Sequence, residues 1–129
     1  MKTVISVEEL YLNSRTGEVD TPILKEMVPH LSRAPGISGK VLAKLLDVRR
    51  SALSNALQLL TGLTLSDMLK QWKLLHAMYL LGYTRLSYEA VAQQCGYKTV
   101  HGLSQFMERM IRCTAYEYRE NRIHGNRQT

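Results

Sequence analysis

Little in this chain suits it to covalent, redox or metal chemistry. It has two cysteines, Cys95 and Cys113, both within apolar helical patterns. They give no disulfide framework, and a reduced, cytoplasmic compartment is the natural reading. The four histidines, His30, His76, His101 and His124, are far apart and lack the i, i+4 pairing or cysteine partners of a metal site. There is no glycine-rich phosphate loop and no grouping of nucleophile and base. The chain is therefore read as a non-enzyme with no metal and no cofactor. No apolar run approaches the roughly 18–20 residues of a membrane-spanning helix. The N-terminus turns acidic at Glu8-Glu9, too early for a secretory signal. Aromatic residues make up only 7%, too few for a broad platform on which single-stranded bases stack.

Acidic residues are also in deficit, and the deficit is local. The 129 residues carry 17 Lys and Arg against 11 Asp and Glu, a net charge of +6. Residues 1–39 sum to −1 and residues 40–129 to +7. A cationic surplus attracts polyanions without specifying one. Its position in the last two-thirds of the chain directs attention to the patterns found there.

Those patterns are helical. Thr3 to Val7 is the one short β-candidate, or a frayed arm, and Asn13 to Asp20 reads as a polar loop. A first helix is expected from near Asp20, with Pro22 at an early position and Pro29 ending or kinking it near Val28. Ser38 caps a short helix bearing Leu42, Leu45 and Leu46, and Asp47 marks a tight turn. Leu53, Ala56, Leu57 and Leu60 follow at i, i+3, i+4 and i+7, ending at Thr61-Gly62. Thr64 and Asp67 open a long helix with Leu65, Met68, Leu69, Trp72, Leu75, Met78 and Leu81 toward its buried face. Gly82 is expected to terminate it.

The first pattern then returns. Leu42-Ala43, Leu46 and Asp47-Val48 map onto Val91-Ala92, Cys95 and Gly96-Tyr97 with an offset of 49 residues. Leu53, Ala56, Leu57 and Leu60 map onto Leu103, Phe106, Met107 and Met110 with an offset of 50. The chain contains two copies of a short helix, a tight turn and a longer helix. This predicts an all-α fold with two helix-turn-helix subdomains joined by a long central helix. The expected division is an arm of unknown role over 1–19, a first subdomain over 20–82 with linker helix 65–81, and a second subdomain with a C-terminal tail over 83–129. In such a unit the second helix can lie in a DNA major groove, and two units can address successive grooves about 34 Å apart.

From about Ser38 to Arg119 the chain resembles the DNA-binding domain of AraC/XylS-type transcription regulators. The matching residues are Leu42-Ala43, Leu46, Leu53, Leu57, Thr61-Gly62, Lys73-Leu74, Ala77 and Leu80-Leu81 in the first half. In the second they are Val91-Ala92, Gly96-Tyr97, Leu103, Met107 and Tyr118-Arg119. In length the chain is similar to the short stand-alone members that lack a sensor domain. The resemblance implies two subdomains reading adjacent major grooves of double-stranded DNA, and RNA polymerase as a further partner. The chain departs from the family pattern at Leu57-Gln58 and Met107-Glu108, where a Phe-Lys pair is usual. Arg112 and Ala115 stand where Gly and Pro are expected.

The expected DNA-facing residues are Arg49, Arg50, Ser51, Ser54, Asn55 and Gln58 in the first unit. In the second they are Lys98, Thr99, His101, Ser104, Gln105 and Arg109. Arg pairs with guanine edges, Asn and Gln with adenine edges, and Ser with base or phosphate. The first helix, introduced by Arg49-Arg50, is expected to carry most of the base readout. Lys40, Lys44, Lys70 and Arg112 are expected at phosphates, which position a protein without specifying sequence. Lys73 and Arg119 are candidates for roles within the protein. The alternative is an AraC-like fold acting as a protein-interaction module, with weak or lost DNA binding in its second unit. Glu108, which repels phosphate, motivates that reading, and exposed Tyr and Leu on residues 1–39 or on the Tyr116–Tyr118 segment would serve as its surface.

Overall fold

Side-chain caps fix where most helices begin. The structure is a computed structural model that describes residues 5–17, 19 and 21–124, with side chains through Arg122. Among these residues there are eight helices and no strand. They are α1 (Val7–Thr16), α2 (Pro22–Arg33), α3 (Gly39–Leu45), α4 (Arg50–Thr61), α5 (Leu65–Tyr83), α6 (Tyr88–Gln94), α7 (Val100–Ile111) and α8 (Ala115–His124). The chain divides into two compact units, Met1–Lys73 and Leu74–Thr129. α5 contributes to both.

In the first unit, the Glu9 N–H donates to Ser6 Oγ at 3.1 Å and so caps α1. Gly17, at φ 82°, closes the helix by donating its N–H to the Asn13 carbonyl. Two expectations change here: Val7 is helical rather than extended, and Asn13 to Thr16 is helix rather than loop. Thr3, Val4, Glu18 and Asp20 lie outside the described residues. α1 buries Val7, Leu10 and Tyr11, and this packing supplies what its polar second half cannot. Tyr11 meets the buried Trp72 edge-on, with ring centroids 5.1 Å apart. Among the described residues the buried Trp72 indole N–H has no hydrogen-bond acceptor. α2 starts at Pro22 and runs through Pro29 to Arg33 instead of ending near Val28. Pro29 is exposed, and Leu24, Met27 and Leu31 are buried on one face either side of it. A buried Leu or Met contributes about 1.5–3 kcal/mol, enough in sum to offset the roughly 3 kcal/mol that an internal proline costs.

The internal duplication extends to individual hydrogen bonds. Ser38 caps α3 by accepting from the Val41 N–H, and Ser87 caps α6 by accepting from the Ala90 N–H. Each short helix ends in a left-handed residue, Asp47 at φ 56° and Gly96 at φ 86°. The next residue folds back in both copies, Val48 N–H to Ala43 O and Tyr97 N–H to Ala92 O. The longer helices end alike, at Gly62 (φ 78°) and Arg112 (φ 63°). Ser54 Oγ then accepts from the Leu65 N–H at 3.2 Å, and Ser104 Oγ from the Ala115 N–H at 3.1 Å. Thr64 and Thr114 cap the following helices, and in the second copy Glu117 returns a bond to the Thr114 N–H. Leu42, Leu53 and Leu57 form the buried centre of the first hairpin, as Val91, Leu103 and Met107 do in the second.

α5 buries Leu65, Met68, Leu69 and Trp72 and then Leu74, Ala77, Leu80 and Leu81, while Leu75 and Met78 are only half-buried. The expected single stripe is replaced by two, because the helix serves two cores. It continues through Gly82 to Tyr83. Here the Arg119 guanidinium donates to the carbonyls of Leu81 (2.9 Å), Leu80 (3.4 Å) and Thr84 (3.5 Å). It also lies 4.8 Å from the centroid of the Tyr88 ring. Arg119 thus supplies a donor to the Leu81 and Thr84 carbonyls at the helix end and adds to the Thr84 N–H and Oγ1 that already donate to Leu80.

Arg112 holds a left-handed conformation that costs a side-chain-bearing residue roughly 1–2 kcal/mol. Arg112→Gly is expected to stabilise the protein by about 1 kcal/mol, the remainder being absorbed by the freedom glycine regains on unfolding. Chemical denaturation will check this, through a higher midpoint at unchanged slope.

Candidate nucleic-acid interface

The outer faces of α4 and α7 follow from which residues the cores take. With Leu53 and Leu57 buried and Ala56 and Leu60 half-buried, α4 turns Ser51, Ala52, Asn55, Gln58 and Leu59 to solvent. These positions form one stripe at i, i+3/i+4 and i+7/i+8, centred on Asn55. In α7 the positions 50 residues later are His101, Gly102, Gln105, Glu108 and Arg109; all are exposed except the half-buried Gly102. A Cβ on Gly102 would come within 3.3 Å of the Tyr97 ring. Tyr97 packs in turn on Phe106, with centroids 5.7 Å apart.

The expected site residues are therefore not equivalent. Arg49, Ser51, Asn55 and Gln58, and Lys98, His101, Gln105 and Arg109, are exposed on or beside these helices. Thr99 is exposed and its Oγ1 accepts from the Gly102 N–H at 3.1 Å as the cap of α7. Ser54 and Ser104 are half-buried, and their oxygens are engaged in closing the turn to the next helix. Lys40 and Lys44 lie exposed on α3, Lys70 on α5, and Arg112 at the end of α7. Arg50 is exposed but sits about 140° around the helix from Asn55 at 3.6 residues per turn. It shares the side of Leu53 and Leu57. Its Nε lies 3.2 Å from the point a Gly39 Cβ would occupy. Sequence reasoning passed over Leu59, which is 58% exposed. Its spacing from Asn55 and Ala52 was the signal.

The two amides, Asn55 and Gln105, hold corresponding positions, and both can donate to and accept from an adenine edge. Their surroundings differ. Ala52 and Leu59 put apolar surface beside Asn55, suited to thymine methyl groups. Glu108 and Arg109 put one acceptor and one cation beside Gln105, suited to cytosine and guanine respectively. The two helices are thus built on one plan with different side-chain chemistry on their exposed stripes.

Cys113, just after α7, is half-buried. Burial, reinforced by the carboxylates of Glu117 and Glu108, pushes its thiol above the ordinary range. The neutral thiol therefore dominates at neutral pH, and alkylation should accelerate only as the solution becomes alkaline. Glu117→Gln keeps an acceptor for the Thr114 N–H and removes one charge. It is expected to speed alkylation at fixed pH, since a lower thiol pKa yields more thiolate. Mass spectrometry of iodoacetamide-treated protein measures this directly.

A helix-turn-helix domain family model matches residues 42–121. Among solved structures, the C-terminal domain of the two-component response regulator yesN from Fusobacterium nucleatum is similar. It shows 22% identity and a TM-score of 0.64, over 76% of this chain and 95% of that one. A DNA-binding transcriptional dual regulator from Escherichia coli K-12 is 18% identical with a TM-score of 0.62, over 93% of this chain and 95% of that one. The xylose-binding transcription activator xylR is 26% identical with a TM-score of 0.65. That match covers 79% of this chain but only 27% of the longer protein. No curated protein sequence gives a significant match.

Proposed function

The chain belongs to the AraC-type helix-turn-helix domains of DNA-binding transcription regulators, and from that premise we propose that it reads specific double-stranded DNA through two adjacent major grooves. One observation carries the proposal. The solvent-facing stripe of α4 recurs on α7 at a constant offset of 50 residues, with an amide at the centre of each. In the first groove Asn55 and Gln58 read base edges, Arg49 and Ser51 flank them, and Ala52 and Leu59 contact thymine methyls. In the second, His101, Gln105, Glu108 and Arg109 face the bases. Lys40, Lys44, Lys98, Thr99 and Arg112 serve the phosphates. RNA polymerase is the proposed partner on promoter DNA. The protein is proposed to act in the cytoplasm; no helix among the described residues is long and apolar enough to cross a membrane.

A second reading, a protein-interaction module, draws on Val41, Leu45 and Val48. They are 47%, 54% and 39% exposed and follow one another along α3 and its turn. Salt titration separates the two. Neutralising phosphates releases counterions, so binding to a random duplex should weaken steeply with salt, with a log–log slope of about −0.9 per phosphate contact. A slope near zero between low and physiological salt leaves only the protein-interaction reading.

A further inference from the structure

A basin of about 290 Å³ lies in the first unit, away from the base-reading stripe of α4. Pro35 to Gly39, Arg50, Ser66, Leu69, Lys70 and Lys73 line it. Its construction follows from helix geometry. Ser66, Leu69, Lys70 and Lys73 fall at i, i+3, i+4 and i+7 and so share one face of α5. Arg50 is on the side of α4 that carries Leu53 and Leu57, so its side chain turns toward this face and away from Asn55. Gly39 makes room for it. A Cβ there would meet Leu65 Cδ2 at 2.8 Å and Arg50 Nε at 3.2 Å. Two cations, Arg50 and Lys70, and the hydroxyls of Ser38 and Ser66 thus face one concave space, and none of its described lining residues is acidic. Like charges around a common space repel one another, and a dianion placed among them relieves that repulsion. Arg adds a planar fork of N–H donors matched to phosphate oxygens, and Lys a mobile point charge.

We propose that Arg50 and Lys70 form a phosphoryl-binding seat that takes a free phosphorylated ligand. A DNA backbone phosphate offers the same chemistry, so a free ligand at this seat competes with DNA and adjusts its affinity. Arg50 is then a phosphate clamp rather than a base reader. The competition rests on the DNA-binding reading proposed above; the seat itself does not.

Titration of the full chain with sodium phosphate and sodium pyrophosphate tests the seat. The ionic strength is held constant with chloride, and backbone amides are followed by NMR. Saturable shifts are expected at Ser38, Gly39, Ser66 and Lys70. Binding should weaken at least tenfold in Arg50→Gln and again in Lys70→Gln, and should be unaltered in Lys25→Gln, a surface change on α2. Melting temperatures in chloride alone verify that each variant is folded. Shifts that never saturate, or that scatter over lysines and arginines elsewhere, overturn the proposal, as does unaltered binding in both basin variants. In a second arm, pyrophosphate at constant ionic strength should weaken binding of a short duplex to the parent chain and not to Arg50→Gln. An undiminished duplex affinity while pyrophosphate saturates the basin overturns the competition. A chain that binds pyrophosphate saturably but no duplex at all supports the seat and refutes the DNA reading.

Discussion

Arg119→Ala is expected to cost about 3 kcal/mol of stability, through the loss of charge-assisted hydrogen bonds worth roughly 1.5–3 kcal/mol and a cation–π contact of about 0.5–1 kcal/mol. The effect is large because one side chain performs three tasks. It donates to the carbonyls of Leu80 and Leu81 at the end of α5, holds the Thr84 carbonyl in the loop that follows, and covers Tyr88 at the start of α6. Removing it takes the guanidinium donors from the Leu81 and Thr84 carbonyls, while Leu80 keeps the Thr84 N–H and Oγ1. Lysine is a poor substitute, since a single ammonium does not reproduce a planar fork addressing several carbonyls. Arg119→Lys should therefore recover less than half of the lost stability. Denaturant unfolding followed by circular dichroism measures both changes. Hydrogen exchange should show the amides of α6 and the end of α5 opening first.

A second large effect is expected on DNA. Asn55→Ala should weaken binding to the protein's own operator by about 1–3 kcal/mol, the worth of a good bidentate base contact. That corresponds to roughly five- to 150-fold in affinity. Affinity for a random duplex and the salt slope should be unchanged, because no phosphate contact is lost. Gln105→Ala is expected to act the same way in the second groove. The two losses should add if the units read independently. Arg50→Ala should behave differently, weakening specific and random duplexes alike and lowering the salt slope by about one contact. The contrast between Asn55 and Arg50 is the mutational signature of this arrangement.

Much of the fold is written in periodicity. The offsets of 49 and 50 residues between the two hairpins survive as paired caps at Ser38 and Ser87 and paired turns at Asp47 and Gly96. They survive also as paired helix ends at Gly62 and Arg112. These are local features, governed by residues a few positions apart, and a sequence displays them openly. α1 was not legible. Its polar second half has no helical signature, and its place depends on Val7, Leu10 and Tyr11 meeting a core that includes Trp72. Pro29 does not end α2, for the same reason: a local helix-breaking tendency is overridden by burial of Met27 and Leu31 on either side. The site was legible in outline only. Which residues of α4 face outward depends on which are taken by the core, and periodicity alone placed the half-buried Ser54 on the outward face. Ser54 and Ser104 bond to amides 11 residues further on. A bond of that kind connects consecutive helices and leaves no mark in the spacing of apolar residues.

The two-groove account is tested most directly by enriching genomic DNA fragments bound to the protein and footprinting them. It predicts a defined site with two protected blocks whose centres lie about 10–10.5 base pairs apart, one helical turn of DNA. Asn55→Ala should relax the sequence of one block and Gln105→Ala that of the other. Recovery of no DNA, or of a site protected over one groove only, would contradict the account.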